Sequence, residues 1–598
     1  MFKSILHLYS LLTPKQQFNL KVLQLLMIVS ALLEIISIAS VGPFIMLAVN
    51  NNILQENEIF KILANIIGTT TYNGFLIKLG TITLLIFVIS SVISIFTLWR
   101  LNLYCHKIGA EISIKLFKYY IYQSWLYHTQ NTSNVIFTKL ISECQRLTNN
   151  ITYPILFMNS KIILCLCMLI AILVYKPIIV LITVIFASVF YFIFYSLFKF
   201  RLKKFGQLVS SSQKNIFNIV SESFGGIKDV LFLGKQKKFI REFDKNYLTF
   251  GRSVGTAAAL GQIPKYILEL LGYGSVILII IYIISFEDKN FINYLPILSV
   301  YALAGLKLLP AFQAIYSCVS GIKSNIQAFE VLKEDISKSK YELIESQDDK
   351  DLPQINSKIE LKDISFAYPN KKNLILSNFN LSLPIKKVIG IVGETGSGKS
   401  TLIDIILGLI EPQSGGLYLD GKKLLNKQKR AWQNQIGVVP QNIFLMNKSI
   451  KENIAFELDP KTIDEEKIFN ALKLSRLDKF VSTLPNGINT IVGERGVQLS
   501  GGQCQRVGIA RALYNDPEFL LFDEATSSLD GITEKLIMDA IQDFSGNKSI
   551  IIITHRLSTI KICDNIFLIE NGKVVDEGSY STLIKNNDKF KKMAAEDN

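Results

Sequence analysis

Disulfide chemistry is excluded at the outset. The seven cysteines form no framework: Cys165 and Cys167 sit inside an apolar run, Cys504 and Cys563 in the later half. None has metal-ligand spacing, so they read as small buried hydrophobes. Acidic residues are also in deficit, 49 against 64 Lys and Arg, giving a net charge of +15. Such an excess can signal nucleic acid, but these bases fall in loops beside apolar runs, where they report membrane orientation. No cleavable signal peptide is expected, because the first apolar run is too long for a signal-peptide core. The opening MFKSILHLYSLLTPKQQ instead spaces Phe2, Ile5, Leu6, Tyr9 and Leu12 as an amphipathic helix on a membrane surface. No binding protein or pore-forming loop is evident.

What the sequence has in abundance is apolar length. Of 598 residues 49% are hydrophobic, and the mean hydropathy of +0.32 exceeds that of an ordinary soluble protein. Long apolar runs crowd the first 320 positions; the later part alternates short runs with charged segments. A helix needs about 20 apolar residues to cross a hydrocarbon core. Six spans are expected, at 20–48, 76–103, 154–175, 178–200, 266–286 and 293–320, the third and fourth joined by a tight turn at Tyr175–Pro177. The polar stretches between spans two and three, and between four and five, read as long helices projecting from the bilayer. The second projection carries Arg201, Lys203, Lys204, Lys214, Lys228 and further bases, whereas QENEIFK and FEDKN on the opposite side have more acid than base. Positive-inside orientation puts the projections, both termini and the later half in the cytoplasm.

Three ionisable residues fall within or at the ends of spans. A charge at mid-membrane costs about 2.5–3.5 kcal/mol on insertion scales, so it usually faces a cavity or a partner. Glu34 reads as a helix-to-helix polar contact, Lys265 as a snorkelling or cavity residue, and Lys307, beside Pro310, as cavity-facing. Ile59, Phe60, Leu63, Ile66 and Ile67 form a stripe outside the membrane, either lipid-facing or packed on neighbours.

Beyond the polar stretch SKSKYELIESQDDKDLPQINSK the chemistry changes. In KVIGIVGETGSGKST a buried strand runs into a loop from Gly393 through Glu394, Thr395, Gly396, Ser397 and Gly398 to Lys399, Ser400 and Thr401. Glycines let backbone N–H groups converge on phosphates, the helix N-terminus adds its positive end, Lys399 neutralises phosphate charge, and Ser400 offers Mg²⁺ a hydroxyl. FLLFDEATSSLD is a strand ending in Asp523 and Glu524, one carboxylate for Mg²⁺ and one to polarise an attacking water. SIIIITHR delivers His555 to the same carboxyl edge of a parallel sheet. Ser500, Gly501, Gly502 and Gln503 of LSGGQ open another helix with an anion-binding N-terminus, redundant within a single ATP pocket.

The ordered motifs GETGSGKST, VVPQNIF, LSGGQ, FDEATSSLD and ITHRLS resemble the ATP-binding cassette of ABC transporters, and the six-span half resembles the exporter arrangement. The fold this implies is an all-α six-helix exporter-type transmembrane domain followed by a cytoplasmic α/β P-loop cassette, divided as 1–330, a linker at 331–357, and 358–598. By the same resemblance Tyr368 stacks on adenine and Gln441 contacts Mg²⁺. Glu524 is the catalytic carboxylate, His555 touches the γ-phosphate, and Asp530 belongs to the loop linking two sites. Glu494 contacts the projecting helices. LSGGQ completes a partner's site, so two chains, a homodimer or a pair of similar half-transporters, sandwich two ATP. The segment LLEIISIASVGPFIMLA, with the stripe after it, resembles bacterial flippases of lipid-linked oligosaccharides. That likeness implies a bacterial inner membrane, a polyprenyl-diphosphate oligosaccharide as cargo, and Lys265 and Lys307 as attractors of its diphosphate. A lipid A-like, peptide or small amphipathic cargo would use the same engine.

Overall fold

The computed structural model describes residues 13–49, 60, 71–175, 177–286, 291–339, 355–369, 371, 373–457, 459–493, 496–525 and 531–596. The expected N-terminal surface helix, the external stripe apart from Phe60, and Glu494 and Asp530 lie outside them. The chain divides into two compact units: Met1–Gln123 with Tyr127–Leu343, and Ser124–Leu126 with Ile344–Asn598.

Long helices build the first unit: α1 (Pro14–Ala39), α2 (Tyr72–Ile121), α3 (Tyr153–Tyr175), α4 (Pro177–Gly225), α5 (Gln236–Phe286) and α6 (Phe291–Lys338). Thr13 starts α1 by accepting the Gln16 N–H, while the Gln16 side chain accepts the Thr13 N–H. This reciprocal cap contributes about 1 kcal/mol. Among the described residues, Pro14–Val49, Tyr72–Ile121, Ser133–Ile172 and Ala302–Lys338 are long and apolar enough to cross a membrane. They overlap the stretches expected as the first, second, third and sixth spans, and α4 and α5 run through those expected as the fourth and fifth. At about 1.5 Å per residue, the 50 residues of α2 reach roughly 75 Å, more than twice a hydrocarbon core. The excess is the projecting helix expected from the polar stretches. α6 continues to Lys338, so the expected linker is helical at its start.

Polarity along α2 is inverted relative to a water-soluble helix. Leu84, Leu85, Val88, Val92 and Ile95 are exposed, while Thr83, Ser90 and Thr97 are buried. Lipid solvates the apolar face, and small hydroxylated residues allow close helix contact inside. α4 approaches α6 closely at Gly206, where a Cβ would lie 2.0 Å from the Ser324 carbonyl oxygen.

One buried charge cluster ties the unit together. Two π-helical turns, Thr138–Glu143 and Thr148–Thr152, flank Arg146. Its guanidinium donates to both Glu143 oxygens at 3.1 and 3.0 Å, to Ser210 Oγ at 2.7 Å, and to Asn325 Oδ1 at 3.3 Å. Ser210 lies on α4 and Asn325 on α6, so this one side chain joins three segments that are remote in sequence.

In the second unit, strands β1 (Lys358–Phe366), β2 (Leu376–Pro384), β4 (Ser414–Leu419) and β5 (Lys422–Lys423) form an antiparallel sheet. β3 (Val388–Val392), β6 (Ile436–Val439), β7 (Phe519–Asp523), β8 (Ser549–Ile553), β9 (Asn565–Glu570) and β10 (Lys573–Gly578) form the second, in the order β10-β9-β3-β8-β7-β6. All its neighbours are parallel except β10 with β9. β3 and β8 are buried at every residue, as strands covered on both faces must be.

Arg146→Ala is expected to destabilise the protein by about 3 kcal/mol, because it strands the Glu143 carboxylate in a buried site. Thermal unfolding in detergent should show the loss, and the double variant Glu143→Gln/Arg146→Met should recover part of it.

Candidate functional site

Four adjacent parallel strands end at one edge, and the candidate residues follow each end directly. β3 leads into Gly393, β6 into Gln441 by way of Pro440, β7 ends on Asp523 before Glu524, and β8 leads through Thr554 to His555. Register holds the ends level: Asp523 pairs with Ile553, and Val439 with Phe522. The Glu524 N–H donates to the Ile553 carbonyl at 2.8 Å, which fixes the turn beyond β7.

The loop after β3 has room only for backbone. A Cβ on Gly393 would lie 2.2 Å from the Ile569 carbonyl oxygen, and Gly398 caps the following helix α7 (Lys399–Ile406) at φ 104°. Ser397 Oγ is buried with no hydrogen-bond partner, a donor awaiting an acceptor. Lys399 Nζ donates to the Gly393 and Glu394 carbonyls at 2.7 and 2.9 Å, curling the loop round the ammonium. A phosphate chain fits this cradle of N–H groups, helix terminus, cation and unpartnered hydroxyl. Tyr368 lies beside it, its hydroxyl 3.4 Å from Thr401 Oγ1 and its ring edge-on to Phe366.

Carboxylates face this cradle. Burial lifts Asp523 to about 6, with Glu524 and Asp404 adding to the rise and Lys399 opposing it. Burial likewise lowers Lys399, against the pull of Glu524 and Asp523. A divalent cation would satisfy this local excess of negative charge. Among the described residues no cluster of three His, Cys, Asp or Glu side chains forms a metal cage. Mg²⁺ would therefore rest on Ser400, Gln441 and Asp523 together with phosphate oxygens, a donor set that suits a hard cation.

Glu524 occupies the left-handed region at φ 47°, uncommon for a side chain of its size. The turn aims its carboxylate between two neighbours. Gln441 Nε2 donates to Oε2 at 2.7 Å, and His555 Nδ1 lies 3.3 Å from Oε1. Three residues taken separately from the sequence thus meet at one carboxylate.

Ser500 and Gln503 stand elsewhere. Ser500 caps α8 (Gly501–Leu513) by accepting the Gln503 N–H at 3.3 Å, and its own N–H donates to Gln503 Oε1 at 2.8 Å. The structure joins these residues to each other and not to the phosphate loop. Two residues of this unit escaped sequence reasoning. Trp125 Nε1 donates to Asp404 Oδ2 at 3.2 Å, and Leu126 packs on the core around β1–β3. Neither belongs to a phosphate-binding pattern, and only the fold brings Trp125 to α7.

In the first unit both candidate lysines have acidic neighbours. Lys265 Nζ is 3.9 Å from Glu269 Oε1 and sits over the Tyr266 ring. Together with Tyr273, Leu306, Leu309 and Pro310 this pair lines a cavity of about 40 Å³ between α5 and α6. Lys307 Nζ is 3.3 Å from Glu34 Oε2. Glu34 is therefore the helix-to-helix contact expected of it, and its partner is the sixth span.

The raised Asp523 gives a pH signature. Its protonated form is preferred in the folded state, so its favourable contribution is full below the unfolded value near 4 and is lost as pH rises through about 6. Asp523→Asn is expected to raise the apparent Tm at pH 7.5 in EDTA, with the gain shrinking steadily towards pH 5. A gain independent of pH would contradict the burial of charge.

Comparison with known proteins agrees with this geometry. The family model for the ABC transporter transmembrane region matches residues 18–306, and the ABC transporter model matches residues 376–527. ABC transporter B family member 21 of Arabidopsis thaliana is 33% identical over 388 residues, covering 61% of this chain and 28% of that protein. Leukotoxin translocation ATP-binding protein LktB of Pasteurella haemolytica-like sp. (strain 5943B) is 44% identical over 236 residues, 40% of this chain and 33% of that protein. The chain thus spans about a third of the length of these curated relatives. A solved bacterial Atm1-family ABC exporter with ATP bound superposes with a TM-score of 0.75 over 95% of this chain and 98% of that one, at 22% identity, a likeness of fold. ABC transporter family models thus match both regions in order over most of the chain's length, and the fold is that of an exporter-type half-transporter.

Proposed function

We propose that the protein hydrolyses ATP to drive export across a membrane, working as a homodimer whose two ATP sites are each completed by the partner's LSGGQ helix. The carrying observation is the convergence on Glu524. Its carboxylate stands at the strand edge beside the phosphate cradle, held by Gln441 and facing His555. Glu524 accepts a proton from the attacking water, His555 contacts the γ-phosphate, and the loop with Lys399 holds the remaining phosphates. Mg²⁺, when bound, neutralises charge on the transferred phosphoryl group. Gln441 touches the same carboxylate, which suits it to report the state of the site. That Ser500–Gln503 open a helix of their own, separate from the one behind the phosphate loop, supports a composite site: their helix start is available to a second chain's nucleotide. Asp530, in the segment expected to link the sites, is assigned the same role as in the family.

For cargo we favour a polyprenyl-diphosphate oligosaccharide, turned from the cytoplasmic to the outer leaflet of a bacterial inner membrane. Lys265 and Lys307 support this reading. Their side chains are 40% and 47% exposed within apolar helices, so each keeps N–H donors for an anionic cargo beside its resident acid. Sugars would pass through a wet cavity opened between the subunits during the cycle, while the lipid tail stays in the bilayer. A second reading, a peptide or amphipathic small molecule, is favoured by the carboxylate beside each lysine, since a wall bearing both signs suits a cargo bearing both.

Reconstituted protein separates these readings. Leaflet transfer of a polyprenyl-diphosphate oligosaccharide, coupled to ATP hydrolysis, is the expected result; transfer of peptides alone would overturn the lipid cargo. Glu524→Gln should retain ATP affinity within about twofold while turnover falls by roughly 10²–10⁴-fold, the usual contribution of a general base. Multiple-turnover hydrolysis at the wild-type rate would remove Glu524 from the chemistry. Lys307→Ala should abolish lipid transfer.

A further inference from the structure

Among the described residues, Lys307 is an intramembrane cation with an anchored acid. Glu34 Oε1 accepts from Ser94 Oγ at 3.0 Å, and Ser94 is in turn 3.0 Å from Ser30 Oγ. The other oxygen, Oε2, takes one N–H of Lys307 at 3.3 Å. The pair thus bridges α1, α2 and α6. Around it Ala31, Ile38, Ala304, Leu308 and Ala311 form an apolar cluster.

The two partners differ in exposure. The Glu34 side chain is 15% exposed and braced by a serine pair, whereas the Lys307 side chain is 47% exposed. The anion is fixed to the wall by Ser94, and the more exposed cation keeps two further N–H donors.

We propose that Glu34 is the resident counter-anion of the cargo path: it holds Lys307 between transport events, and an anionic headgroup replaces it on Lys307 during passage. The inference rests on the lipid-cargo reading and adds a residue that sets specificity and release. Exchange of one anion for another keeps Lys307 paired at every stage, while the displaced Glu34 carboxylate stays held by the Ser94 hydroxyl, so no lysine is left bare in a low-dielectric site. A phosphate or diphosphate carries enough charge to displace a single carboxylate. An uncharged lipid cannot, and is rejected because it would leave both ions unpaired. When the headgroup departs, Glu34 recaptures Lys307 from a position Ser94 has kept, which prevents the cargo from trapping the carrier.

The test uses the full-length protein in phosphatidylcholine vesicles with three probes: a polyprenyl-diphosphate oligosaccharide, a polyprenyl monophosphate and uncharged polyprenol. Wild type is expected to transfer the phosphate-bearing lipids and not the polyprenol. Glu34→Gln removes the competitor, so the half-saturating lipid concentration should fall about fivefold and the maximal rate should fall with it. Glu34→Asp, which keeps the charge at shorter reach, should show the same split more weakly. The swap Glu34→Lys/Lys307→Glu should restore the thermal stability lost in Glu34→Lys but not transfer, because the exposed member is then an anion.

Transfer restored by the swap would reduce the pair to a structural clamp and overturn the inference. A Glu34→Gln variant that loses stability without the opposed changes in affinity and rate would do the same, as would equal transfer of polyprenol. Transfer of the monophosphate lipid but not the diphosphate oligosaccharide would sink the oligosaccharide reading and leave Glu34 its role. No response to either phosphate lipid would sink both.

Discussion

Parallel pairing of four buried strands is the constraint from which the catalytic end of this protein follows. Because β3, β8, β7 and β6 run side by side in one direction, whatever follows each strand is delivered to one edge. The phosphate loop, Gln441, the carboxylates and His555 are separated by up to about 160 positions in the chain, yet strand register sets them level. Such strands are covered on both faces, which explains runs such as SIIII and FLLFD with hardly a polar residue. The same burial withdraws solvent from Asp523 and Lys399, making each intolerant of remaining unpaired. Core packing and readiness for a charged ligand are two consequences of one arrangement.

A different solvent governs the other unit. In lipid each backbone polar group must be satisfied within the helix, so the chain spends its length in helices of about fifty residues and packs them through small residues. Their polar side chains gather inside. Ser30, Ser90, Thr83 and Thr97 are buried while neighbouring leucines and valines face outward. Arg146 and Glu34 show two ways of keeping a charge among these helices, the first largely buried and bonded to Glu143, Ser210 and Asn325, the second braced by Ser94 and paired with Lys307. The contrast separates a charge that holds a structure from one that can change partners.

Most of this was readable in the sequence, for reasons that differ by element. Spans announce themselves because lipid demands long apolar runs, and phosphate loops because only a few residue types tolerate such close backbone approach. Glu524, Gln441 and His555 were each legible from a strand and a motif, but their meeting at one carboxylate was not, because it depends on strand order. The helical start of the linker was hidden for a similar reason: the mixed residues from 331 to 338 read as a boundary, and only tertiary packing buries Leu332 and Ile336 at the end of a long helix. Trp125 carried no local signal at all. It is one aromatic at the start of the short helix Trp125–Gln130, and only tertiary contact gives Asp404 to it.

The lysines show where reading residue by residue misleads. Taken alone, Lys265 and Lys307 make a positive path that would attract any anion, and net charge along the helices points the same way. With Glu269 and Glu34 beside them the two sites are close to neutral, and on the proposed lipid cargo attraction would give way to exchange. Exchange suits a transporter better than attraction does. A bare cation in lipid would bind its cargo tightly and release it slowly, whereas a paired one binds only as strongly as the cargo exceeds the resident acid. The energy supplied by ATP is then available to reorient the helices rather than to break a deep ion pair at each turnover.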